Sequence, residues 1–419
     1  MRALFLTNFY PPYIVGGYEL WCQEVAEGMK ARGHAVEVLT STHGVKGPLG
    51  QEEGITRTLH LMTDIDYYKP VDFFLHWQAE EAANREAVTQ AIARFAPDVV
   101  LVWGMWNLSL TVPAIAEKLL PGALHTSCRR IGRATSIRIL LSGCCRRGKA
   151  RRWVKLPLRA AAMHQLQRAG YPPQLAFEHV VCCSEYVRTT LVAAGQLPAS
   201  AGVLLGGTDP KPFVEHSACR APLGDRPVEL LFFGRLIHDK GAHTALEAMG
   251  ILRQNGVSNV RLTVLGSGHP DYEAHLHRHA ETLGIQDEVT FLRQVARDEI
   301  PALLSRFDIY LFTSIWAEPM ARSVMEAMAS GLLVIGTTVG GQAEMVSDGE
   351  NALTFVAGDS EGLAHQIKRA VDDPALCRRL AMAGQQLVLE RFTLERMVDD
   401  IEALLTDIVA DVATAGRVP

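Results

Sequence analysis

The chain reads as α/β, with two parallel-sheet domains in tandem, and three observations carry that reading. Short Val-, Leu-, Ile- and Phe-rich runs alternate with longer helical stretches, the alternation restarts once after Pro222, and several runs end in Gly-bearing turns that open a helix. At 419 residues the chain is long enough for two domains, each able to bury its own core.

In the first half the expected elements are a strand at 1–7, a helix at 19–32, a strand at 35–39, a helix at 79–95 and a strand at 99–102. The first run stops at Asn8, Tyr10, Pro11 and Pro12, too short an apolar core for a secretory leader and suited to a buried strand. In the second half strands are expected at 229–233, 260–265, 289–292, 309–312 and 333–337, with helices at 242–255, 272–284, 300–306 and 322–330 between them. The Pro- and Gly-bearing stretch from Leu197-Pro198 to Pro222-Leu223-Gly224 joins the halves, which gives domains at 1–205 and 206–392. An amphipathic helix at about 393–412 exceeds what the second sheet needs and is expected to pack back on the first domain.

Hydrophobic residues make up 48% and charged residues 21% of the chain, and no apolar run approaches the ~20 residues that span a bilayer. The eight cysteines include the adjacent pairs Cys144-Cys145 and Cys182-Cys183, with no spaced metal half-sites. A reduced, cytoplasmic protein without a metal is expected. The net charge of −5 conceals an asymmetry. Between Lys118 and Phe177 lie thirteen Lys and Arg and no acid, so the remainder carries 28 basic against 46 acidic residues.

The densest chemistry is in Glu318-Pro319-Met320-Ala321-Arg322-Ser323, running on through Glu326 to Gly331. The apolar run 309–312, then Thr313-Ser314, then an acidic Pro-led helix is the order strand, loop, helix start that ligand sites of α/β proteins require. Pro319 suits a first helical turn and Gly331 the far end. The turn would offer unpaired N–H groups to a diphosphate. With the whole span helical, Glu326 would lie roughly 12 Å beyond Glu318, about the reach from a sugar ring to a ribose.

Phe233-Gly234-Arg235-Leu236 ends a strand and Asp239-Lys240-Gly241 follows, so Arg235 and Lys240 are expected to converge where charge grows on a departing diphosphate. Gly266-Ser267-Gly268 is a strand-end turn with room for a base or phosphate. Gly340-Gly341-Gln342-Ala343-Glu344 is either a pocket wall or a structural turn. In the first half Pro11-Pro12-Tyr13-Ile14-Val15-Gly16-Gly17 follows a strand and opens a helix, which suits close approach to a phosphate or a plain connection. It is not the G-x-G-x-x-G fingerprint, which weighs against a nicotinamide or flavin enzyme.

Tyr10-Pro11-Pro12 with Gly16-Gly17 and Glu19, Arg32-Gly33-His34, Gly234-Arg235-Leu236 with Lys240-Gly241, Glu318-Pro319 with Glu326 to Gly331, and Gly340-Gly341 with Glu344 together resemble the retaining glycosyltransferases of family four. The resemblance spans nearly the whole chain. It implies the GT-B fold, two Rossmann-like domains facing across a cleft, with a nucleoside diphosphate sugar as co-substrate in place of a cofactor. It further implies a donor held mainly by the second domain and an acceptor hydroxyl, lipid-linked or glycan, held by the first. Arg235 and Lys240 would then bind the diphosphate, Glu318 the transferred sugar and Glu326 the ribose. Gly234, Gly266, Ala321, Arg322 and Ser323 would line the donor site, and Gly16 and Gly17 would close over the phosphates. The implied reaction is a metal-independent hexosyl transfer with retained configuration; no carboxylate is placed for a double displacement, and no nucleic acid is implied.

Two features depart from the family. Met320-Ala321 stands where Phe-Gly is usual. His125, in Leu124-His125-Thr126, is the nearest match to a histidine the family places beside the donor sugar, and it leads into the acid-free basic stretch. For residues 126–155 three readings compete: a peripheral membrane-surface helix, a surface recognising an anionic acceptor, or a stretch translated out of frame. The Arg-, Cys-, Ser- and Gly-rich composition leans to the third, and resequencing codons 120 to 160 decides it. Two other activities fit the same architecture: a nucleotide-sugar epimerase, and, if residues 126–155 are aberrant, a non-catalytic nucleotide-sugar binding protein.

Overall fold

The computed structural model describes residues 1–45, 52–62, 70–128, 161, 164–217 and 226–415. They form two compact units, one of Met1–Cys183, Val187–Leu204 and the chain from Val398, the other of Ser184–Tyr186 and Leu205–Met397. Most of the basic stretch, residues 129–155, lies outside the described residues.

The first unit is built on a seven-stranded parallel sheet of β1 (Arg2–Leu6), β2 (Ala35–Ser41), β3 (Ile55–Leu59), β4 (Val99–Val102), β5 (Leu124–Cys128), β6 (His179–Cys182) and β7 (Gly202–Val203), in the order β3-β2-β1-β4-β5-β6-β7. Its helices are α1 (Gly17–Ala31), α2 (Pro70–Phe95), α3 (Thr111–Leu119) and α4 (Glu185–Ala193). The central strands are apolar on both faces because crossover helices cover both faces of a parallel sheet; Leu4, Phe5, Val99 and Leu101 are fully buried. α2 begins at Pro70 rather than near residue 79, with the proline in a first turn where its missing N–H costs nothing.

The second unit holds a six-stranded parallel sheet of β8 (Val228–Phe233), β9 (Val260–Leu265), β10 (Val289–Leu292), β11 (Ile309–Phe312), β12 (Leu333–Gly336) and β13 (Leu353–Thr354), ordered β10-β9-β8-β11-β12-β13. Around it lie α5 (Lys211–Ser217), α6 (Ala242–Gln254), α7 (Pro270–Thr282), α8 (Ile300–Leu304), α9 (Arg322–Ala329), α10 (Ser360–Asp372), α11 (Pro374–Arg391) and the start of α12 (Leu394–Ala415). β13, α10 and α11 extend the alternation beyond the strand expected at 333–337. Asp359 and Asp373 start the two helices by accepting from the N–H groups of Gly362 and Leu376.

From Val398 onward α12 belongs to the first unit, and Gly28 is the reason it packs closely. A Cβ at Gly28 would stand 2.8 Å from a methyl of Val398. Beyond that contact Arg32 pairs with Asp399 and Glu402, while His34 Nε2 lies 2.6 Å from Glu402. The Arg32-Gly33-His34 turn thus anchors the terminal helix.

Candidate functional site

In each sheet the strand order reverses once, between β1 and β4 in the first unit and between β8 and β11 in the second. Neighbouring loops leave in opposite directions at such a switch point, so a crevice opens beyond the strands' carboxyl ends. In the second unit the loop after β8 carries Gly234, Arg235 and Lys240, and the loop after β11 carries Glu318.

These two loops are knitted together through their backbones. Thr313 Oγ1 donates to Lys240 O at 3.0 Å, Ser314 Oγ to Asp239 O at 3.2 Å, and Ile315 N–H to Asp239 O at 3.0 Å. Gly241 allows the approach: its φ is +71°, and a Cβ there would stand 2.1 Å from Thr313 O. Lys240 is therefore held by the neighbouring loop, and its Nζ pairs with Glu318 Oε1, whose residue is 4% exposed. Arg235 is exposed, and its side chain has no ion-pair or hydrogen-bond partner among the described residues. At Gly234 an added Cβ would meet nothing within 4 Å, so the backbone beside Arg235 is open; Gly266, by contrast, is packed against Gly234 O.

Glu318 lies outside α9, as the helix expected at 322–330 implies, but Pro319 does not open that helix, a correction to its expected place in the first turn. Pro319 pushes the residue before it out of the helical region. Glu318 instead pairs as an isolated parallel bridge with Gly340, and Gly341 N–H donates to Glu318 O at 2.7 Å. α9 begins only at Arg322, with Ala321 as its extended N-cap, so helical rise does not set the separation of Glu318 and Glu326. Gly331, at φ +67°, does end that helix. The 340–344 segment fastens the Glu318 loop. Its last residue, Glu344, accepts the N–H groups of Glu185 and Tyr186, which belong to the same unit, at 3.0 Å each.

Three further residues expected to line the donor site turn inward. Ala321 N–H donates to the buried Gln342 Oε1 at 2.8 Å rather than facing a ligand, because Gln342 reaches the N-cap first. Ser323 Oγ takes the Tyr310 hydroxyl at 2.9 Å, beneath the site, and burial pushes that phenol's pKa up. Arg322 Nε donates to Glu326 Oε1 at 2.7 Å, one turn along the helix. Glu326 is 1% exposed and also pairs with Arg297. Burial alone would raise its pKa, but the two guanidinium groups outweigh it and hold the carboxyl below its ordinary 4.5. Arg297 and Gln342 escape sequence reasoning as individual site residues; a lone arginine in a loop after a strand, and a glutamine in a Gly-Gly turn, carry no signal in the chain itself.

In the first unit the switch point is aromatic rather than ionic. Buried Phe9 lies 5.2 Å from the His43 ring and 5.9 Å from that of half-buried Trp106, and Asn8 Nδ2 donates to Trp106 O at 2.9 Å. Arg57, buried on β3, secures the loop after β1 by donating to Tyr10 O and Pro11 O at 3.1 and 2.6 Å. Gly16 is the N-cap of α1 and Gly17 its first residue; the Gly16 N–H donates to Glu19 Oε2 at 2.8 Å. That N–H already has an acceptor, so phosphate contact through it requires displacing Glu19.

His125 is corrected more sharply. It lies within β5, beside Leu101 and His179, one strand away from the switch point, and is 1% exposed. Neither ring nitrogen has a hydrogen-bond partner among the described residues. Burial, helped by His179, lowers its pKa to about 3, so the ring is a neutral core group.

Residues 15–211 match Glycosyltransferase Family 4 and residues 220–387 match Glycosyl transferases group 1. The chain is similar to the glycogen synthase of Mycobacterium tuberculosis, with 24% identity over 415 residues that cover 94% of this chain and 91% of that one. It is also similar to the lipopolysaccharide core biosynthesis glycosyltransferase LpsE of Rhizobium meliloti, 33% identical over 181 residues. That match spans 43% of this chain and only half the length of LpsE. Among solved structures, Anabaena Alr3699/HepE in complex with UDP and glucose superposes with a TM-score of 0.69 at 22% identity, covering 97% of this chain and 99% of that one. With two doubly wound parallel sheets and family matches that together run from residue 15 to 387, the chain is a group 1 glycosyltransferase of the GT-B fold.

Proposed function

We propose that the chain transfers a hexosyl group from a nucleoside diphosphate sugar to an acceptor hydroxyl, with retained anomeric configuration and without a metal. The observation that carries this reading is the Lys240–Glu318 pair at the switch point of the second sheet, with Arg235 unpaired beside it among the described residues. A fixed cation and a buried carboxylate held by one pair of loops match a ligand that is anionic at one end and rich in hydroxyls at the other.

Arg235 and Lys240 hold the diphosphate and stabilise the charge that grows as the bond between the anomeric carbon and the phosphate oxygen breaks, its electron pair leaving with the phosphate. The acceptor oxygen attacks the same face, and its proton passes to the departing phosphate oxygen. Glu318 orients Lys240 and accepts from sugar hydroxyls, while Glu326, kept ionised by Arg297 and Arg322, accepts from the ribose. The Anabaena relative's complex with UDP and glucose supports a sugar nucleotide as the ligand class, and the LpsE likeness supports a glycan or lipid-linked acceptor. A cytoplasmic location, with peripheral membrane contact, is part of the same proposal. It is consistent with two observations on the described residues: no helix is long and apolar enough to cross a membrane, and the buried Cys22, Cys182, Cys183 and Cys377 form no disulfide.

A thermal-shift screen of nucleoside diphosphates and their sugars, followed by NMR of the product's anomeric proton, tests the reading. Stabilisation by one sugar nucleotide and acceptor-dependent release of its nucleoside diphosphate are expected. Quantitative conversion of the sugar nucleotide without acceptor would point to an epimerase, and no response to any of them would refute the proposal.

A further inference from the structure

Gln342 is fully buried directly behind the Glu318 loop, and half of its side chain is unspoken for. The Ala321 N–H can only donate, so the amide end facing it at 2.8 Å must be the oxygen, Oε1. The other end, the Nε2 amino group, is buried and has no hydrogen-bond partner among the described residues. A buried N–H₂ left unpaired carries its full desolvation cost, and such groups are rare unless a ligand or water completes them.

The position of this orphan group suggests its partner. Gln342 follows Gly340 and Gly341, which are locked to the Glu318 loop: Gly341 N–H donates to Glu318 O at 2.7 Å, and a Cβ on Gly341 would stand 1.9 Å from Pro319 O. Residues 318–321 and 340–342 are therefore one hydrogen-bonded piece. The cations suited to phosphate, Arg235 and Lys240, come from the loop after β8 instead. A neutral N–H₂ donor on the same hydrogen-bonded piece as the Glu318 carboxylate matches a hydroxyl, which needs both an acceptor for its hydrogen and a donor to its oxygen.

We propose that Gln342 selects the transferred sugar, its Nε2 donating to one sugar hydroxyl while Oε1 keeps the Ala321 N–H at the head of α9. The inference rests on the reading that this site binds a nucleoside diphosphate sugar. It makes the carboxamide a specificity residue and the N-cap contact its anchor: the bond that removes Ala321 N–H from the ligand's reach also fixes which way the amide points.

The test is a binding series, by calorimetry, on wild type and Gln342→Met with UDP, UDP-glucose and the UDP-glucose analogues lacking one hydroxyl each, or the GDP or ADP series if the thermal screen selects that base. In wild type one deoxy analogue should bind about threefold to tenfold more weakly than the parent. In Gln342→Met that penalty should vanish while affinity for the nucleoside diphosphate is kept. The wild type alone supplies a second arm. The deoxyfluoro analogue at the same carbon accepts but cannot donate, so it should recover part of the loss. Equal losses for the deoxy and fluoro compounds would assign that hydroxyl to a carboxylate such as Glu318 and overturn the inference, as would an unchanged penalty in Gln342→Met. If neither nucleotide nor sugar nucleotide binds wild type, the reading of the site falls and the inference with it. Binding of both, with no hydroxyl sensitive to Gln342, overturns the inference alone.

Discussion

The two switch points of this protein are built alike and filled differently. Beyond β8 and β11 the second unit gathers Arg235, Lys240 and Glu318, with Glu326 between Arg297 and Arg322 behind them. Beyond β1 and β4 the first unit gathers Phe9, Trp103 and Trp106, with His43 against Phe9. The Tyr18 hydroxyl and the Trp103 indole each donate to the other's backbone oxygen, at 2.8 and 2.9 Å. Parallel-sheet topology makes a crevice at both places, but only side-chain chemistry decides what enters it. Fixed charges suit a diphosphate; a buried aromatic cluster edged by the half-buried Trp106 and His43 rings suits the apolar faces of a neutral ligand.

Replacing Lys240 with Ala tests the ionic side of this contrast most severely. In the proposed reaction it removes the cation held at the point of departing charge, and it strands Glu318 without its Lys240 partner. We expect turnover to fall on the order of 100-fold or more, read as kcat with the native sugar nucleotide. Wild-type turnover in that variant would end the assignment of the second switch point as the reacting one.

Glu326→Gln addresses the layer behind it. Arg322 is nearly buried, so losing its carboxylate should cost about 3 kcal/mol in urea unfolding, with the half-exposed Arg297 adding little. The pH dependence has a definite sign. Because the folded carboxyl titrates below its ordinary 4.5, its contribution is fully present above that pH and is lost as pH falls through the lower folded value. Wild type and variant should therefore differ at pH 7 and converge in acid. A constant difference down to about pH 3 would show that the stability difference does not come from the charge on Glu326.

The smallest effect is expected in the first unit. Both His125 nitrogens lack partners among the described residues, so His125→Leu, which keeps a core side chain of similar bulk, should leave kcat within about twofold and change stability by less than ~1.5 kcal/mol. A loss of activity comparable to that of Lys240→Ala, with the fold intact by circular dichroism, would return His125 to the reacting site and blur the contrast between the two units.

Lys240 and Glu318 are legible in the chain because each follows an apolar run that must be a buried strand, and polar groups at such ends face the ligand crevice. His125 misleads for a related reason: it too lies near the end of an apolar run, but β5 continues through Cys128 and carries the histidine inside the sheet. Ala321 and Gly16 look like open N–H donors because an N-terminal position says nothing of what comes back from elsewhere. Gln342 reaches the first from 21 residues away, and Glu19 reaches the second from within its own helix.

Read as a string of residues, the chain already specifies two parallel sheets, most of their strands and the residues that stand at strand ends. Buried parallel strands must be apolar along their length, and helices must follow them, so that periodicity is written locally. Which strand ends become neighbours is settled only in three dimensions. Lys240 and Glu318 are 78 residues apart and meet because β8 lies beside β11, and Gln342 reaches the Ala321 N–H because β12 lies beside β11. Hydrogen bonds between loops of adjacent strands set these positions, and strand adjacency is a property of how a sheet winds, which spacing along the chain does not encode.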